Sequence, residues 1–145
     1  MADPSPGKTA PRKVKGTASP GDVARIAASA RSWWDEDGAF KALHKLNPPR
    51  IAFIKKHVCR HFGREESAER PFQGLSLLDI GCGGGLLSEP MRRLGADVTG
   101  IDAAQENILI AGRHAEQSGL DIAYRHVLPE VLAGEGVNYD VVLNM

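Results

Sequence analysis

The chain has 145 residues, 18 Lys and Arg against 18 Asp and Glu, two cysteines and a hydrophobic content of 42%. That length suits one domain, and a formal charge of zero supplies no general field for nucleic acid or an anionic membrane, so no nucleic-acid partner is expected. Cys59 and Cys82 cannot build a disulfide framework, and no apolar run approaches the ~18 residues of a spanning helix. A soluble, cytoplasmic globular protein is expected, with its 16 glycines the informative excess over a usual ~7%.

Residues 1–20 carry Pro4, Pro6, Pro11 and Pro20 with almost nothing apolar, and read as a disordered tail. The same prolines argue against a mitochondrial presequence, which needs an amphipathic helix. Residues 21–70 read as a helical cap. Asp22 can cap a helix whose apolar positions Val23, Ile26, Ala27, Ala30, Trp33 and Trp34 recur at 3/4 spacing. Gly38 interrupts it and Phe40–Leu46 resumes it. Asn47-Pro48-Pro49 predicts a boundary, with Asn47 as cap and proline tolerated in a first turn. A further helix presents Ile51, Ile54, Val58 and Phe62 on one face, and Gly63–Gln73 reads as a surface loop.

Residues 71–145 have a different texture. The run LSLLDI (75–80) suits a strand buried on both faces of a parallel sheet. A helix over 86–94, a strand over 97–101 and a helix over 104–118 follow. A strand over 122–126, a weak helix near 129–132 and a strand over 139–143 complete the pattern. Alternation of this kind defines an α/β fold of βαβ units. Nothing follows the last strand to cover it, so the chain is expected to be a fragment holding the first four strands, with part of the active site missing.

The chemistry concentrates at Asp79-Ile80-Gly81-Cys82-Gly83-Gly84-Gly85, where a strand turns into a helix. Glycines let backbone approach a ligand, and helix-start N–H groups point outward to receive it. Asp102 ends the next strand, 21 residues after Gly81, the spacing at which an acid binds vicinal ribose hydroxyls. A dinucleotide loop G-x-G-x-x-G/A would need a small residue at 86, which is Leu86. Gly81, Gly83 and Gly85 instead follow G-x-G-x-G, with Asp79 two residues earlier. That is the Rossmann-like pattern for S-adenosylmethionine (SAM), whose ammonium Asp79 could hold. A nicotinamide dehydrogenase and an inactive SAM-binding module are the alternative readings.

The stretches RSWWDEDGAFKALHKLNPPR (31–50), LLDIGCGGGLLSEPMRRLGADVTGID (77–102) and YDVVLNM (139–145) resemble the ubiquinone-biosynthesis O-methyltransferases. The resemblance covers roughly residues 22–145, except a 60–73 loop that looks long. It implies the Rossmann-like SAM methyltransferase fold, SAM as cofactor, and a polyprenylated phenol or quinol as substrate. It also implies peripheral contact with the inner membrane and a place in a ubiquinone-biosynthesis complex. By matching positions, the implied SAM contacts are Arg50, Gly81, Asp102 and Met145, beside Asp79 and Gly83 from the loop itself. Arg50 could pair with the SAM carboxylate and Met145 could pack on the adenine.

Other residues carry less. One of Trp33 and Trp34, about 100° apart on a helix, is expected in the core and the other over the cleft. His44 reads as a surface histidine, His57, Cys59 and His61 as a solvated helix face, and Cys82 as a small packing residue. A phenol of pKa ~10 needs a base or metal to ionise, and no convincing base precedes Met145. The 145-residue chain is therefore expected to be inactive alone.

Overall fold

The computed structural model describes Gly21 and residues 32–145. The expected tail and the body of the helix from Asp22 lie outside the described residues. Residues 32–40, which include the expected end of that helix, form turns.

Helix α1 (Lys41–Phe62) runs unbroken through Pro48 and Pro49, so the boundary expected there is absent. Interior prolines remove amide donors and crowd the carbonyls four residues earlier, at a cost of about 3 kcal/mol or more. Tertiary contacts hold these first turns in place. Asn47 Nδ2 donates to the Leu86 carbonyl at 2.7 Å, and His44 Nε2 donates to the Trp33 carbonyl at 2.8 Å. The helix stops where Gly63 turns left-handed (φ 63°) and its N–H bonds back to the Cys59 carbonyl.

The following loop is exposed as expected except at Pro71 and Phe72, which are buried. Phe72 fills the core beneath α1. Then come β1 (Ser76–Ile80), α2 (Ser88–Arg93), β2 (Asp97–Asp102), α3 (Gln105–Gln117), β3 (Ala123–His126), α4 (Pro129–Gly134) and β4 (Val141–Asn144). Their limits fall within two residues of those read from the sequence. The strands are parallel in the order β3-β2-β1-β4. This is the α/β arrangement expected, with a switch in strand order beside β1, where ligands of open α/β sheets bind.

Alternation along β1 positions the site. Leu77 packs with Ile54 and Val58 of α1, Met91 of α2, Val98 and Leu143. Leu78 packs on the other face with Ile101 and Leu132, beside Ile80. Asp79 therefore faces the same layer as Leu77, under α1 and α2. Because α1 shares that core with the sheet, the expected division near residue 70 is not a break in packing.

Candidate cofactor site

The glycine turn is pinned to its neighbouring strand. Gly81 and Cys82 both donate their N–H groups to the Ile101 carbonyl, each at 2.9 Å. Gly81 (φ 70°) and Gly83 (φ 54°) are left-handed, a conformation that only glycine adopts without a Cβ penalty. Gly83 N–H donates to Asp102 Oδ2 at 2.9 Å. The other carboxylate oxygen, Oδ1, accepts the Ala104 N–H at 2.8 Å and Asn107 Nδ2 at 3.2 Å. Asp102 thus ties the turn to the start of α3.

A cleft of about 630 Å³ opens above β1, and Trp33, Asn47, Arg50, Asp79, Gly81 and Met145 are among its walls. Asp79 is 3% exposed and accepts one hydrogen bond from Ser88 Oγ, at 2.6 Å. Burial pushes its carboxyl from 3.8 up to about 6, although the Ser88 bond and the Arg50 charge pull it down. Among the described residues, Asn47 Oδ1 is buried without a hydrogen-bond partner.

Of the six residues expected to bind cofactor, Arg50, Asp79, Gly81 and Met145 share this cleft, while Gly83 and Asp102 are not among its walls. Trp33 lies at the division. Its indole lies so close on the turn that a Cβ on Gly83 would come within 2.5 Å of Cη2, and one on Gly84 within 2.4 Å of Cγ.

Neither tryptophan is a plain core residue; both are half-buried and fastened to the turn. Trp33 Nε1 donates to Asn107 Oδ1 at 3.1 Å, and Phe40 stacks on its ring at 3.7 Å. Trp34 Nε1 donates to the Gly84 carbonyl at 2.9 Å, and its ring stacks on His114 at 3.5 Å. His114 Nδ1 lies 2.6 Å from Oε1 of Glu89, which is 2% exposed. Asn107, Ser88, Glu89 and His114 were not evident from sequence. Only Asn107 had a local cue, as an amide in the first turn of the helix after Asp102. The others meet their partners through tertiary packing.

His44 is half-buried and bonded to Trp33 rather than free on the surface. Cys82 is buried behind the turn, and burial pushes its thiol far up, which suits packing and not nucleophilic attack. Cys59 faces the core while His57 and His61 face outward. Among the described residues no group of three or more His, Cys, Asp or Glu side chains is arranged to hold a metal.

Residues 77–145 match the family of methyltransferase domains. With its strand order, the glycine turn after β1 and the acid ending β2, the domain has the Rossmann-like SAM methyltransferase fold. Over 129 residues, 89% of its length, the chain is 57% identical to the ubiquinone biosynthesis O-methyltransferase of Roseobacter denitrificans, covering 52% of it. It is 55% identical over 130 residues to the protein of the same name from Paramagnetospirillum magneticum, again covering 52%. The chain thus spans about half the length of the curated relatives it matches. Among solved structures, magnesium protoporphyrin IX methyltransferase from Synechocystis shares the fold, with a TM-score of 0.50 at 19% identity, over 90% of this chain and 51% of that one.

Proposed function

We propose that this chain is the cofactor-binding part of a SAM-dependent O-methyltransferase acting on a ring hydroxyl of a polyprenylated phenol or quinol in ubiquinone biosynthesis. One observation carries the reading. The same glycine turn has a buried acid near an arginine at one end and a second acid, Asp102, at the other. The first pair complements a zwitterionic amino acid and the second complements a ribose diol. SAM carries both, and the names of the relatives supply the substrate class.

The residues present fit the group. A Cβ on Gly81 would meet nothing within 4 Å, so backbone is open to a ligand there. Arg50 offers a fork of donors to a carboxylate. Asp79, once ionised, accepts from an ammonium. Asp102 accepts from ribose through Oδ2, which among the described residues holds only the Gly83 N–H. Met145 follows β4, on the far side of β1 from Asp102. It therefore serves the amino-acid end of the ligand rather than the adenine.

When bound, SAM supplies an activated methyl on its sulfonium. The task left to the protein is alignment and exclusion of water, and alignment alone contributes up to ~7–11 kcal/mol in favourable cases. Trp33, Leu86 and Leu87 provide apolar cleft wall for that purpose. Residues 21–70 act as the cap and 71–145 as the first half of the cofactor domain. Among the described residues no helix is long and apolar enough to cross a membrane. A polyprenyl tail would bring the protein to the inner-membrane surface from the cytoplasm, within reach of other enzymes of the pathway.

Calorimetry with SAM and with NAD tests the cofactor. Saturable SAM binding without NAD binding is the expected result. NAD binding with no response to SAM would overturn the reading.

A further inference from the structure

Trp33 stands where the cleft meets the nucleoside acid. Its indole is part of the cleft wall, lies on Gly83 and Gly84, and is braced by Phe40. An indole N–H can only donate, so its 3.1 Å bond fixes Asn107 with Oδ1 toward Trp33 and Nδ2 toward Asp102. A carboxylate offers about four lone-pair positions. At Asp102 the Ala104 and Asn107 donors fill Oδ1, and the Gly83 N–H takes one position on Oδ2. Those three donors set the direction in which the remaining position on Oδ2 faces. Two are backbone amides, fixed by the turn and by α3. The third is a side chain whose orientation Trp33 decides.

We propose that Trp33 is a positioning residue for the cofactor: acting through Asn107, it aims the Asp102 carboxylate at the ribose hydroxyls. The inference rests on the SAM reading above and assigns the strap before α1 a part in nucleoside recognition. A phenylalanine could supply the same packing on the turn. Only tryptophan reaches Asn107 with a donor, across 74 residues of sequence.

The test is Trp33→Phe, with calorimetry against S-adenosylhomocysteine and its 2′,3′-dideoxy counterpart. Loss of one hydrogen bond should weaken the diol ligand about fivefold and leave the dideoxy ligand nearly unchanged. Asn107→Leu should behave the same, and the double variant should add nothing further. Equal weakening of both ligands would show a packing role and overturn the proposal, as would no weakening of either. Should Trp33→Phe fail to fold, the Asn107→Leu pair of titrations decides by the same criterion. Wild-type binding that is indifferent to the diol would overturn the proposal together with the ribose role of Asp102, a result distinguishable from failure of the relay alone.

Discussion

The two ends of the glycine turn differ in how fully their polar groups are satisfied. Asp102 already holds three hydrogen bonds, two from backbone amides and one from Asn107. Among the described residues Asp79 holds one, from Ser88, and burial raises its carboxyl to about 6. The first end is preorganised, so a ligand finds an acceptor already aimed. The second is electrostatically incomplete, so a ligand ammonium would supply charge that the fold withholds. A nucleoside and an amino acid make different demands on a site, and under the proposed reading this turn would meet them by different physical means.

Removing the satisfied acid should have the largest effect. Asp102→Ala strands two backbone donors and Asn107, and hydrogen bonds to a charged group contribute about 1.5–3 kcal/mol each. SAM affinity measured by calorimetry should fall on the order of a hundredfold, and the midpoint of denaturant unfolding should drop with it. Asp79→Asn gives the contrast. It removes a charge that burial opposes and leaves no backbone donor stranded. Its stability at neutral pH should equal or exceed the wild type while SAM affinity falls about tenfold.

Two glycine substitutions separate the strap from the turn. Gly84→Ala would place a methyl 2.4 Å from Trp33 Cγ without backbone strain, so the strap must give way. Overpacking of this kind costs about 1–3 kcal/mol. Gly81→Ala meets no neighbour but forces a left-handed residue (φ 70°), at about 1–2 kcal/mol. Both tryptophans of the chain lie in the strap, so indole emission should shift in Gly84→Ala and hold in Gly81→Ala. A shift of equal size in both would mean that strap and turn move as one unit.

Much of the sheet half was legible in sequence because its signals are local. A short apolar run at LSLLDI, a glycine run after it and an acid at the next strand's end are each legible from a few neighbouring residues. The strap and α1 were not legible in this way. Pro48 and Pro49 predict a break on local grounds, and contacts to Leu86 and Trp33 override it. Glu89 and His114 lie 25 residues apart on different helices, with nothing in either neighbourhood to name the other. Arg50, Asp79, Gly81 and Met145 meet in one cleft, while Asp102 is reached by Asn107, whose amide oxygen accepts from an indole of the strap 74 residues earlier.

Acidity gives the most diagnostic difference between the two ends. Folding raises the Asp79 pKa from 3.8 to about 6, so between those values the folded chain holds a proton that the unfolded chain releases. The stability this group contributes is full below about pH 4 and is lost as pH rises through about 6. The ammonium of a ligand requires the ionised acid, so SAM affinity should rise over the same interval and level off above it. Stability and affinity therefore run in opposite directions with pH. Unfolding free energies of wild type and Asp79→Asn, compared from about pH 4 to 7, should diverge by up to ~3 kcal/mol in favour of the variant. The pH dependence of SAM binding that Asp79 confers should vanish in that variant. Parallel curves for the two proteins would place the ammonium elsewhere in the cleft and leave Asp79 with a purely internal bond to Ser88.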